Sequence, residues 1–115
     1  MISKELERVK VEELNAENGN GLLVLDKLLK GPNAPQKLRT FAKATLEAGA
    51  SVGYHVHTGE SESYYILSGV AEYNDDGNLY EIHEGTVTYT PSGHGHGIKN
   101  IGKEPLVFIA LIILD

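Results

Sequence analysis

The chain is predicted to be all-β, folding as a sandwich or barrel, and three observations carry that prediction. Short runs rich in aromatic and β-branched residues recur along it, among them SYYILSGVAEYN and TVTYTP. Turn chemistry separates these runs: Asp75, Asp76 and Gly77 form a hairpin signal, and Gly or Pro clusters close the others. The final run, Leu106 to Leu114, is apolar throughout and of strand length.

Each element follows from its residues. Residues 1–20 carry alternating charges; Val9 and Val11 have strand spacing, Leu6, Val9 and Leu14 loosely that of a helical turn, and both readings stay open. The cluster AENGNG, 16–21, is a turn, and LLVLDKLL after it is a strand. GPNAP, 31–35, is a loop, and KLRTFAKATL, 37–46, is a strand that leads into a turn at Glu47, Ala48 and Gly49. SYYILSGVAEYN gives two strands joined at Ser68 and Gly69, and NLYEIHEG returns from the Asp-Asp-Gly turn. TVTYTP alternates and ends at Pro91, which has no N–H to give to a ladder. The turn GKEP, 102–105, precedes the last strand.

That last strand has no polar face, so it is expected to be buried on both sides. One side would line the interior. A second copy of the chain is the expected cover for the other, giving a homodimer; the alternative is the N-terminal segment folding over it.

At 115 residues the chain is one domain, 1–115, long enough to bury a core. The net charge of −6, without a basic run, argues against nucleic acid or an anionic membrane surface as partner. The apolar run at 106–114 is too short to span a bilayer. With no cysteine and no apolar leader, the cytoplasm is the expected compartment.

Chemistry concentrates in GASVGYHVHTGESESYYILSG, 49–69. His55 and His57 stand two apart, so on a strand their imidazoles share one face. A tight turn over Thr58, Gly59, Glu60 and Ser61 is expected to return the chain antiparallel and bring Glu62 alongside the pair. His96 follows the Pro91 and Gly93 turn and can reach the same point. Three imidazoles and a carboxylate suit a divalent transition metal: manganese, iron, cobalt, nickel, copper or zinc. Glu60 rivals Glu62 by parity, and His94 rivals His96. His83 is read as a surface or hydrogen-bonded residue.

Gly49, His55, His57, Glu62 and Gly69 match the first cupin motif, and Gly85, Pro91, Gly93, His96 and Asn100 match the second. The chain thus resembles a small single-domain cupin. The resemblance implies the double-stranded β-helix form of the jelly roll, with ligand histidines pointing into the barrel. It selects Glu62 and His96 over their rivals as ligands. Parity then places Tyr64 and Ile66 inside with Glu62, where Tyr64 can donate a hydrogen bond to a ligand.

The ligand expected from such a site is a small carboxylate, hydroxy acid, enediol or carbonyl compound. Cupins with this ligand set include decarboxylases, lyases, isomerases and dioxygenases, and the motif is similar to that of oxalate decarboxylase-like proteins. Those usually carry an arginine three residues before the first histidine, where this chain has Val52; Arg39, Lys37 or Lys43 would supply the charge instead. Glu60 at the barrel mouth is the candidate acid or base, with Tyr64 beside it. Iron-dependent dioxygenase chemistry would use an apolar pocket of Tyr54, Tyr64 and Phe108. The alternative to an enzyme is a protein that holds a metabolite on its metal without converting it.

Overall fold

The computed structural model describes residues 1–115 as ten strands and three single 3-10 turns. In chain order the strands are β1 (Lys10–Leu14), β2 (Leu22–Lys27), β3 (Leu38–Leu46), β4 (Ser51–Val56), β5 (Glu60–Ser68), β6 (Val70–Asp75), β7 (Asn78–His83), β8 (Val87–Thr90), β9 (Gly95–Asn100) and β10 (Leu106–Leu114). They form two antiparallel sheets, one of order β1-β2-β3-β10-β5-β8 and one of order β4-β9-β6-β7. The all-β prediction holds, and the two sheets face each other as the double-stranded β-helix requires. No helix is long and apolar enough to cross a membrane.

The core follows the two-residue period. On β10, Leu106, Phe108 and Ala110 are buried, and across the ladder they meet Leu46, Ala44 and Ala42 of β3 and Ile66 and Tyr64 of β5. The facing sheet contributes Val52, Ala71, Tyr73, Ile82 and Ile98 to the same cluster. Large side chains therefore stand beside small ones, which lets the layers interdigitate at native density. Gly69 makes the β5–β6 corner possible: its φ is +100°, and a Cβ there would lie 3.0 Å from the Cα of Leu106.

The other face of β10 behaves differently from the expectation of burial on both sides. Val107, Ile109 and Leu111 are only half-buried and Ile113 is exposed, with Tyr65, Val87 and Tyr89 exposed on the neighbouring strands. The N-terminal segment extends the sheet sideways as β1, paired to β2 over five residues from Lys10↔Asp26 to Leu14↔Leu22. All five of its side chains are exposed, so no burial pattern marked it as a strand in the sequence. Its anchor is Arg8, whose Nε and Nη2 donate to Asp26 at 2.7 and 2.9 Å; Asp26 is buried, and the guanidinium holds its carboxyl below the usual range despite that burial.

Candidate metal centre

The two sheets bring the four motif residues together. His55 on β4 lies opposite His96 on β9, so their pairing register alone sets two imidazoles side by side. His57 follows directly on the end of β4, and its backbone is clamped by the later turn: its N–H donates to the His94 carbonyl at 3.0 Å and its carbonyl accepts from the Gly93 N–H at 2.7 Å. This is why the Pro91 and Gly93 turn matters to His57. Glu62 comes from the opposite sheet, on β5 between Thr90 of β8 and Ile112 of β10.

One expectation is corrected here. The segment after His57 does not form an antiparallel hairpin, because β4 and β5 belong to different sheets and the turn crosses between them. The crossing carries Glu62 over the barrel interior to face the histidines.

The donor atoms converge. One ligand atom from each of His55, His57, Glu62 and His96 lies within 4.8 Å of all the others. Glu62 Oε1 is 3.0 Å from His57 Nε2 and 2.9 Å from His96 Nε2, and those two nitrogens are 3.1 Å apart. Three of the four residues are buried, and His55 is half-buried.

The opposite nitrogen of every ring has its own partner. His55 Nδ1 is 2.7 Å from the Gly53 carbonyl, His57 Nδ1 is 2.6 Å from Glu60 Oε2, and His96 Nδ1 is 2.8 Å from the Tyr73 hydroxyl. Gly53 and Glu60 offer only acceptors there, so both rings carry their proton on Nδ1. For His96 the same tautomer follows if Tyr73 accepts and passes its own proton to Thr90 Oγ1, 3.1 Å away. Each Nε2 then presents a lone pair to the common point. Lone pairs and a carboxylate so close together repel unless a cation sits among them, so the donor set fits a divalent metal. Burial, together with the neighbouring His55 and His57, lowers the His96 pKa against the pull of Glu62, which favours the neutral ring that a metal needs.

The remaining candidates fall into clear places. Glu60 is not among the converging donors. It is the first residue of β5, buried, accepting from His57 through Oε2 and from Arg39 Nη1 through Oε1. Burial pushes its carboxyl up, but the two hydrogen bonds and the Arg39 charge outweigh that, and the net shift is downward. Tyr64 is buried with its ring stacked on His96 at 4.9 Å and tilted against Phe108 at 4.6 Å. Burial first, and the Glu62 charge second, raise its phenol well above the ordinary range, so it stays an O–H donor.

His94 points away, exposed and paired with Asp76 at 2.9 Å. His83 is exposed beside Glu81. Tyr54 is exposed and turned toward Asp76, so it does not belong to an apolar pocket with Tyr64 and Phe108. Tyr73 and the Gly53 carbonyl were missed in the sequence: Tyr73 reaches His96 through the pairing of β6 with β9, and the Gly53 carbonyl is a backbone group of β4 itself, two residues before His55.

A cavity of about 600 Å³ opens onto His55, His57 and Glu62. Val52, Phe108, Ala110 and Ile112 supply apolar wall, and Lys27, Arg39 and Glu60 supply charge. Of the three cations the sequence offered beside the site, only Arg39 lines it: Lys43 faces out of the barrel, opposite Ile109 and Asp26, and Lys37 is exposed.

Comparison with known proteins agrees with this geometry. The family model described as Cupin domain matches residues 42–112. An oxalate-binding protein of Thermotoga maritima is 42% identical over 100 residues, 87% of this chain and 83% of its own. A crystal structure of a predicted oxalate decarboxylase, also from Thermotoga maritima, superposes with a TM-score of 0.94 at 38% identity, covering 100% of both chains. Oxalate decarboxylase of Bacillus subtilis is 38% identical over 80 residues, 64% of this chain but only 21% of its own length.

Proposed function

The chain belongs to the cupin family, and from that premise we propose that it binds one divalent transition metal through His55, His57, Glu62 and His96 and uses it to hold a small carboxylate such as oxalate. One observation carries the reading: all three Nδ1 atoms are taken by partners, while Nε2 of His57 and of His96 meet Glu62 Oε1 and one donor atom from each of the four residues converges. The relatives named for oxalate supply the ligand class.

A bound divalent ion with three neutral imidazoles and one carboxylate would keep a net positive charge and act as a Lewis acid toward a chelating oxygen ligand. The chain's own residues do the rest. Glu60 holds the His57 ring by its Nδ1–H, Tyr73 does the same for His96, and Phe108, Ala110 and Ile112 keep one wall of the cavity dry. Tyr64 keeps its proton and can donate it in a hydrogen bond to a ligand oxygen beside Glu62.

Binding without turnover is favoured over catalysis by the engagement of Glu60, the candidate acid or base. Glu60 is tied at both oxygens, and Val52 stands on the wall where decarboxylase-like proteins usually place arginine. Catalysis is the second reading, supported by Glu60 and Tyr64 both facing the cavity; it would be decarboxylase, lyase, isomerase or dioxygenase chemistry. Calorimetric titration of metal-loaded protein with oxalate, followed by an assay for formate and carbon dioxide, separates the two. Saturable binding without product supports the first reading, product supports the second, and absence of binding overturns both.

The half-open outer face around Ile109, Leu111 and Tyr65 supports a homodimer built across this sheet. Sedimentation of the wild type against Leu111→Asp tests it: a dimer converted to a monomer is expected, and a monomeric wild type contradicts it.

A further inference from the structure

Arg39 lines the cavity with most of its hydrogen-bonding capacity unspent. Its Nη1 donates to Glu60, and that is its sole hydrogen bond; Nε and Nη2 have no partner in the chain, and the side chain is 60% exposed. The anchor is the buried carboxylate that also holds His57. The fork is thus anchored at Nη1 by a fixed group, on a residue that lines the cavity. Lys27, with no ion pair, lines the same cavity from β2 at a position opposite Ala42 of β3. A guanidinium held at one end and free at the other suits a planar carboxylate, which it can bind through two N–H groups.

Size points the same way. A cavity of about 600 Å³ is far larger than a two-carbon dianion needs. Arg39 is separated from the converging donors by the Glu60 carboxylate and the His57 ring, so a ligand bound at the metal ligands must extend to reach it. Glu13 and Glu17 also line the cavity and would oppose an anion extending toward them, which leaves the Arg39 and Lys27 wall as the place for a distal negative group.

We infer that Arg39 reads a second carboxylate, so that the preferred ligand is two-ended: a 2-hydroxy or 2-oxo acid head at the metal ligands and a carboxylate tail on the free edge of Arg39. This rests on the metal-dependent carboxylate binding proposed above and names the ligand class for that site.

The test compares ligands that share a head and differ in the tail. Manganese-loaded protein is titrated calorimetrically with oxalate, lactate, malate and 2-hydroxyglutarate, for wild type, Arg39→Gln, Arg39→Lys and Lys27→Gln, with metal content and melting temperature recorded for each. In the wild type, malate or 2-hydroxyglutarate is expected to bind about tenfold or more tighter than lactate. Arg39→Gln should bring that ratio close to one, whatever its effect on the affinity for lactate itself, and Arg39→Lys should fall between, keeping the charge without the fork. If Arg39→Gln loses metal or folding, Arg39→Lys and Lys27→Gln decide, because each must still narrow the ratio. A wild type that binds the two-ended acids no better than lactate, or a ratio that survives these substitutions, overturns the inference while oxalate binding leaves the broader reading standing. Failure of all four ligands to bind overturns both.

Discussion

Glu60 Oε2 accepts the Nδ1–H of His57 at 2.6 Å, one residue outside the converging donors, and it decides which nitrogen of His57 faces the metal position. Replacing it tests that role without removing a ligand. Glu60→Gln keeps an acceptor but loses the charge that raises imidazole basicity, and it leaves Arg39 without an anionic partner. The expected result is a roughly ten- to hundredfold loss of metal affinity with one site per chain retained in excess metal, measured by competition with a chromophoric chelator. Unchanged affinity would mean that Glu60 does not position His57.

Tyr73 makes the equivalent contact to His96, 2.8 Å from Nδ1, and is buried in the facing sheet. Tyr73→Phe keeps the ring and its packing against Tyr64 while deleting the hydroxyl. A weakening of metal binding by about tenfold is expected, with little change in secondary structure. An effect on melting temperature alone would assign Tyr73 to packing.

Tyr73 also shows where sequence reading stops. The strands were legible because side chains alternate and the Asp76 and Gly77 turn has a local chemistry. The convergence of His55, His57, Glu62 and His96 was legible because their spacing falls within two short motifs. Tyr73 meets His96 only through the pairing of β6 with β9, where Tyr73 lies opposite Ile98, and that register is set by the whole sheet. The same holds for β4 and β5. A strand, a short turn and a strand fit a hairpin as well as they fit a crossing between sheets, and only the packing of both sheets separates the two. Strand β1 was ambiguous for a simpler reason, since none of its side chains is buried.

Acid is expected to act on the metal-free protein in two stages. Burial lowers the His96 pKa, so below its ordinary value of about 6.5 the unfolded chain takes up a proton that the folded chain resists. Stability is complete above that pH and falls as pH drops toward the lowered folded value. Asp26 is held low by Arg8, and Glu60 is low because His57 and Arg39 outweigh its burial. Their contributions are present above the ordinary carboxylate range, about 4, and are lost as pH falls through the lowered folded values. Melting temperature recorded from pH 8 to pH 3 should show both declines. A flat profile between pH 7 and pH 5 would contradict the neutral, buried His96. Metal affinity should weaken over the same first window, because protons compete for the histidines.

Asn100, the last residue of the second motif, binds no ligand. Its Nδ2 donates to the carbonyls of Leu46 and Glu104 at 3.0 and 2.8 Å, and its Oδ1 accepts from the Gly102 N–H at 3.0 Å. It stitches the end of β3 to the turn before β10 and is 1% exposed. Asn100→Ala would leave these backbone groups unpaired and is expected to cost about 3 kcal/mol of stability by urea denaturation, with metal stoichiometry unchanged in the folded fraction. Loss of metal from fully folded protein would give Asn100 a part in the site that its contacts do not support.

The most direct test of the whole account is elemental analysis of tag-free protein reconstituted with manganese, iron, cobalt, nickel, copper and zinc in turn, wild type beside His55→Ala, His57→Ala and His96→Ala. About one equivalent of a divalent transition metal in the wild type, lost or strongly reduced in all three variants, is the predicted result. A wild type that retains none of these metals would contradict the account and leave the four residues as a hydrogen-bonded pocket.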